Sequence, residues 1–271
     1  MLFNKQNFTL TYLDRYDIEC KESGLTEPSG LTLSHGKKAL WTISDDTKKI
    51  FKLSRDGKLK EHDSFEILDM GLEGITLDPG GTYLFVVKEE TNEVIQIQIG
   101  IRQVVARKPL ADMTRYDTVE HYFNNSQFNK GLEGIAWNSK TGTIFVMKEG
   151  VPGLLIEISS DLKEILSHQL LNNENGFGDM EVSEEKLDFS DLCYDQQRDR
   201  FWIISDTARK LFLYDWNSNS VIQSSKLGYG VKGEYREIEK SEGVSIDSDA
   251  NRLYVVSDAE VRLYVFDVRD C

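Results

Sequence analysis

With 271 residues, 39% of them apolar and 29% charged, the chain can bury a sizeable core as one soluble globular domain. Its net charge of −14 repels phosphate backbones and anionic lipid, which argues against a nucleic-acid partner and favours cations. No apolar run approaches the ~18 residues of a membrane helix, so no membrane span is expected.

In chain order, the first strand-like segment is NFTLTYLDRYDI, ending at Ile18. The N-terminal stretch has no continuous hydrophobic core and no small-residue cleavage site, so it does not read as a signal peptide. The sequence as it stands reads as cytoplasmic, and export would require a leader removed upstream. Cys20, Cys193 and Cys271 have neither metal-type nor disulfide-framework spacing.

Five segments then stack without a gap, starting at Ser29, Glu73, Glu133, Ser190 and Glu242. Two places on, each has an aliphatic residue: Leu31, Ile75, Ile135, Leu192 and Val244. Twelve places on stands an aromatic: Trp41, Phe85, Phe145, Trp202 and Tyr254. Sixteen places on stands an acid: Asp45, Glu89, Glu149, Asp206 and Asp258. Each segment reads as two alternating strands with a polar turn, and a third strand follows the acid. Repeats of this size and content signal an all-β, five-bladed β-propeller occupying residues 1–271 as one domain.

Fourth strands are expected from KEHDSFEIL, from about Arg102 to Ala111, from EILSHQLL and from VIQSSKL. The last repeat runs out with three strands. Its fourth is expected from Phe8 to Ile18, pairing beside Arg262 to Asp267, which closes the ring and removes an open edge. Residues 112–130 and 172–188 are longer than a blade needs but too short to hold another. Both lead into a first strand, so both lie on the face where the repeat starts lie.

First strands line the channel of a propeller, so their starts converge on one mouth. Glu73, Glu133 and Glu242 meet there, with Ser29 and Ser190, and Asp191 and Glu27 close by. Carboxylates held that close repel one another unless protonated or bridged by a cation. An oxygen-only set suits a hard ion such as Ca²⁺. The start position varies between Ser and Glu, so the blade itself does not require Glu there. The sixteenth-place acid occurs in every blade and reads instead as a turn closure bonded to backbone N–H groups.

Weaker signals give way to plainer readings. Asp247 to Asn251 mimics a calcium loop, but Arg252 stands where that loop needs Gly, and a hairpin turn is expected. Lys88 and Lys148 read as solvated lysines, and Asp179 and Glu181 as a plain acidic loop. His35, His62, His121 and His168 avoid the shared strand positions, apart from a turn for His35. No nucleophile elbow, zinc motif or phosphate-cradling loop occurs.

The succession EPSGLTLS, GLEGITLD, GLEGIAWN, DFSDLCYD and SEGVSIDS, each followed by an aromatic-aliphatic strand ending in Ser-Asp or Lys-Glu, resembles the SdiA-regulated family of bacterial proteins. The likeness runs from about Glu27 to Asp267. It implies a five-bladed propeller with bound calcium, often exported, and supplies no reaction. Carried onto this sequence, the metal-ligand candidates are Glu73, Glu133 and Glu242, then Asp191.

Two functions compete. One is a monomeric, non-catalytic calcium-binding scaffold that recognises a small molecule, glycan or protein at the channel mouth. The other is a calcium-dependent hydrolase, a lactonase or esterase or a phytase-like phosphoesterase, in which the metal polarises a carbonyl or phosphoryl oxygen. Asn or His side chains beside the metal would favour the second.

Overall fold

Inner strands with a bare edge towards an axis are what five repeated hairpins make when they stack side by side. The computed structural model describes residues 8–124, 130–178, 183, 187–231 and 233–271. Strand β1 (Phe8–Asp17) comes first. Blade I holds β2 (Pro28–Leu33), β3 (Ala39–Ser44), β4 (Lys49–Ser54) and the short β5 (Phe65–Glu66). Blade II holds β6 (Leu72–Leu77), β7 (Tyr83–Lys88), β8 (Glu93–Gln98) and β9 (Gln103–Pro109). Blade III holds β10 (Leu132–Asn138), β11 (Thr143–Lys148), β12 (Gly153–Ile158) and β13 (Ile165–Leu171). Blade IV holds β14 (Asp191–Asp195), β15 (Arg200–Ser205), β16 (Lys210–Asp215) and β17 (Ser220–Lys226). A hairpin of β18 (Gly228–Val231) and β19 (Glu234–Glu237) leads into blade V, with β20 (Ser241–Asp247), β21 (Arg252–Ser257) and β22 (Arg262–Asp270).

Blade V is completed by β1, which runs antiparallel to β22 from Phe8 opposite Asp270 to Asp17 opposite Arg262. This is the closure expected from the sequence. The ring is continuous, because β2, β6, β10, β14 and β20 are neighbours in that order and β20 returns to β2.

The core is divided accordingly. Five apolar clusters fill the five gaps between blades. A middle strand is packed on both faces, which explains why ALWTIS in β3 is buried at every residue. The repeat aromatics Trp41, Phe85, Phe145, Trp202 and Tyr254 all lie in these gaps and are at most 3% exposed. Outer strands lie at the rim of the ring, so β9 alternates between exposed and half-buried residues.

Two features went unforeseen. The hairpin of β18 and β19 leans on the closing strand, with the Tyr229 ring 5.5 Å from Tyr12 and the Arg15 guanidinium 4.6 Å above it. The long stretch before blade III folds into short helical turns at Leu110–Asp112, Tyr116–Thr118 and Glu120–Phe123. Asp179 and Glu181, in the stretch before blade IV, lie outside the described residues. Among the described residues no helix is long and apolar enough to cross a membrane. The turn at Asp247 is a hairpin, as expected, with Asp247 paired to Arg55 at 3.0 Å and Lys37 at 3.3 Å.

Candidate functional site: an acidic channel mouth

The Glu-Gly starts owe their geometry to backbone irregularity. The pairing register of β10 with β11 slips between Leu132 and Gly134, and that of β20 with β21 between Ser241 and Gly243. Glu133 and Glu242 are therefore extra residues in the ladder, freed to aim at the axis as bulges allow. Similar slips occur from Leu72 to Ile75, spanning Glu73, and from Pro28 to Leu31, spanning Ser29.

The following glycine is needed for a different reason. A Cβ on Gly74 would lie 2.5 Å from the Glu133 carbonyl oxygen, and one on Gly243 would lie 2.4 Å from that of Ser29. Neighbouring inner strands touch backbone to backbone here, which only glycine permits. Blade IV is the exception. Its ladder has no slip, and Asp191 stands where the others have glycine. Its side chain is fully buried and accepts the Val244 N–H at 2.8 Å.

A cavity of about 250 Å³ opens at this mouth. All five starts line it: Ser29, Glu73, Glu133, Ser190 and Glu242. Asp191 is not in the lining; it lies one residue further along its strand. The remaining lining is charged: Asp45, Glu149, Asp206 and Asp258 at the ends of second strands, Lys130 and Asp188 from the long loops, and Lys240. One oxygen from each of Glu89, Glu133 and Glu149 lies within 4.8 Å of the others, a spacing that a metal ion could bridge.

In place of the turn closure expected of them, the strand-end acids face away from their own turns: Glu89 accepts the N–H of Gly131, at the entry to the next blade, at 3.2 Å, and Asp45, Glu149, Asp206 and Asp258 face the cavity with the starts. Their occurrence in every blade hid them, since a feature common to all blades reads as scaffold. Glu27 lies outside the lining and groups with Asp46 and the lining residue Asp45.

The electrostatics follow from crowding in a recess. Burial, then the charges of Asp45 and Glu89, push the Glu73 carboxyl up to about 7. Burial lifts Glu242 to about 8 against the pull of Lys240. Burial and the Asp188 carboxyl raise Glu149 to about 9 although Lys130 opposes them. Glu133 is pushed well above the usual carboxylate range by burial and by Glu73, Glu149, Glu89 and Glu242. Asp191 is raised by burial, with the Val244 N–H pulling the other way.

Two lysines answer part of this charge. Lys130 Nζ lies 2.9 Å from Glu149 and 2.8 Å from Asp188, which ties the two long loops together across the rim. Lys240 pairs with Asp258. Lys148 corrects an expectation. It is fully buried, not solvated, and its ammonium donates to the Glu149 carbonyl at 2.9 Å. Burial lowers its pKa. Beside the cavity, Leu68, Met70 and Val151 are exposed on loops of the same face, Leu68 by 88%.

Solved structures show the same architecture at low identity. Glutaminyl cyclase from Myxococcus xanthus aligns over 98% of this chain and 99% of its own, with TM-score 0.66 and 11% identity. Virginiamycin B lyase from Staphylococcus aureus aligns over 96% and 99%, with TM-score 0.54 and 11% identity. Such likenesses establish the propeller and nothing about the reaction. The family model described as SdiA-regulated matches residues 9–267, nearly the whole described fold. With the repeat starts, the five-blade ring and this match in agreement, the chain belongs to the SdiA-regulated family.

Proposed function

We propose that the protein binds Ca²⁺ at the acidic mouth and serves as a non-catalytic scaffold that offers this face to a small molecule, glycan or protein. Glu73, Glu133 and Glu242 are the principal ligands, and Asp191 supports them from below. The observation that carries the reading is the aim of Glu133 and Glu242, which are freed by ladder slips towards a recess where like charges oppose their ionisation. A hard divalent ion relieves that repulsion and accepts six to eight oxygens in loose geometry. The donor set fits, because the recess offers carboxylate and hydroxyl oxygens. Asp191 Oδ1 is, moreover, a buried oxygen without a hydrogen-bond partner, and such an atom calls for a counter-ion or a proton.

Among the described residues, eight carboxylates and two ammonium groups line the cavity. The other lining side chains are two serines, and no histidine or asparagine is among the described lining residues. This supports the scaffold over a calcium-dependent hydrolase. The exposed Leu68, Met70 and Val151 beside the mouth suit contact with a partner.

The test is a calorimetric Ca²⁺ titration of chelator-stripped protein beside the Glu73→Gln/Glu133→Gln double variant. Binding that is micromolar or tighter (about −8 kcal/mol) in the parent and absent in the variant is expected. A parent that takes up no calcium would sink the reading and leave the acids as surface charge.

A further inference from the structure

The opposite end of the axis opens into a larger cavity, of about 560 Å³. Its floor is the aliphatic layer Leu31, Ile75, Ile135 and Leu192. The next lining layer breaks the fivefold pattern. Four places after the start, blades I, II and V carry Leu33, Leu77 and Ile246, while adjacent blades III and IV carry Trp137 and Tyr194. Blade stacking does not require that pair of aromatics, since aliphatics suffice elsewhere.

Hydrogen bonding is asymmetric on the same side. The Thr76 hydroxyl accepts the Trp137 N–H at 3.1 Å, and the Ser245 hydroxyl accepts the Leu33 N–H at 3.0 Å. The equivalent residue of blade III is Ala136, so no hydroxyl receives the Tyr194 N–H in this way. Hydrogen bonding between inner strands therefore differs at blade IV, the blade that carries Tyr194.

Charge at this mouth is already answered: Asp78 accepts the Gly80, Thr82 and Tyr83 N–H groups, and the other charges pair. Lys37 lies 2.6 Å from Asp249 and 3.3 Å from Asp247, and Gln197 donates to Asp249 at 3.0 Å. Among the described residues, none of the exposed large apolar side chains lines the cavity. An apolar floor under a polar rim suits a small molecule that sinks in rather than a protein that docks on top.

We propose that this second mouth binds an uncharged organic molecule with a flat apolar body, independently of any cation at the first. The floor takes the apolar body, and the Trp137 and Tyr194 side takes the flat face.

The neutral, flat fluorophore prodan matches this chemistry and serves as the probe, with anionic anilinonaphthalene sulfonate as its charged counterpart. Saturable, blue-shifted prodan emission at one site per chain is expected. Ser139→Trp at the exposed rim and Thr32→Phe in the wall should each weaken it about tenfold or more, while Glu73→Gln/Glu133→Gln leaves it unchanged. Ser139 is exposed, so that variant tests occupancy without disturbing the core. Prodan emission that never saturates, or that both filling variants leave intact, would overturn the site. Equal binding of the sulfonate would overturn its preference for uncharged molecules.

Discussion

Glu133 is surrounded by Glu73, Glu149, Glu89 and Glu242, all of which oppose its ionisation. Glutamine keeps its size and removes its charge. In metal-free protein at pH 8, Glu133→Gln should therefore raise the melting temperature by a few degrees, since each pH unit of displaced ionisation corresponds to about 1.4 kcal/mol. The same substitution should erase the rise in melting temperature that calcium gives the parent. A metal-free variant that melts below the parent would show that Glu133 makes favourable contacts instead. Gly74→Ala tests the neighbouring requirement. The added Cβ meets the Glu133 carbonyl at 2.5 Å, and overpacking of this kind costs about 1–3 kcal/mol, measurable by urea unfolding. At this scale the sequence was partly legible. That Glu73, Glu133 and Glu242 meet at one mouth was legible because they vary on a repeating background. Asp191 was placed near the mouth but not below its lining, because depth depends on a ladder slip that blade IV lacks. Lys148 was misread because nothing in its spacing shows that Pro152 and Glu149 wrap over its ammonium.

Among elements, the turns that follow the strand-end acids repeat a left-handed residue at Asn92, Arg209 and Val261, with φ of 48°, 50° and 47°. A β-branched residue is strained there. The closing strand β1 is anchored by Phe8, whose ring meets Trp202 edge-on at 4.7 Å. Phe8→Ala should cost about 3 kcal/mol and should expose the edge of β22, promoting aggregation on warming. Blade number and closure were legible because every blade must bury a middle strand on both faces, which leaves a run of apolar residues at a fixed distance from each start. The hairpin of β18 and β19 was not, since GYGV and EYRE lack the alternation that marks the other strands and depend on Tyr12 and Tyr264 for support.

For the whole molecule, the acidic mouth sets a pH dependence opposite to that of ordinary paired carboxylates. Glu73, Glu242 and Glu149 titrate in the fold near 7, 8 and 9, above the unfolded value near 4.3. Between those limits the folded chain holds protons that the unfolded chain has lost, so stability falls as pH rises. Metal-free protein should melt progressively lower from about pH 5 to pH 9, at roughly 2–4 °C per kcal/mol for a chain of this size. Saturating calcium should flatten the curve, because it favours the ionised forms. A metal-free curve that rises over this range would refute the crowded mouth. The ring also has a mechanical consequence. Its seam is the pairing of β1 with β22, and Phe8 lies opposite Asp270. A load drawn apart at those two points does not shear the seam along its length. It opens the hydrogen bonds one after another from that end, as a zipper opens. Propellers of this kind should therefore yield under tension at low force, blade V first, while the other four blades keep their sheets.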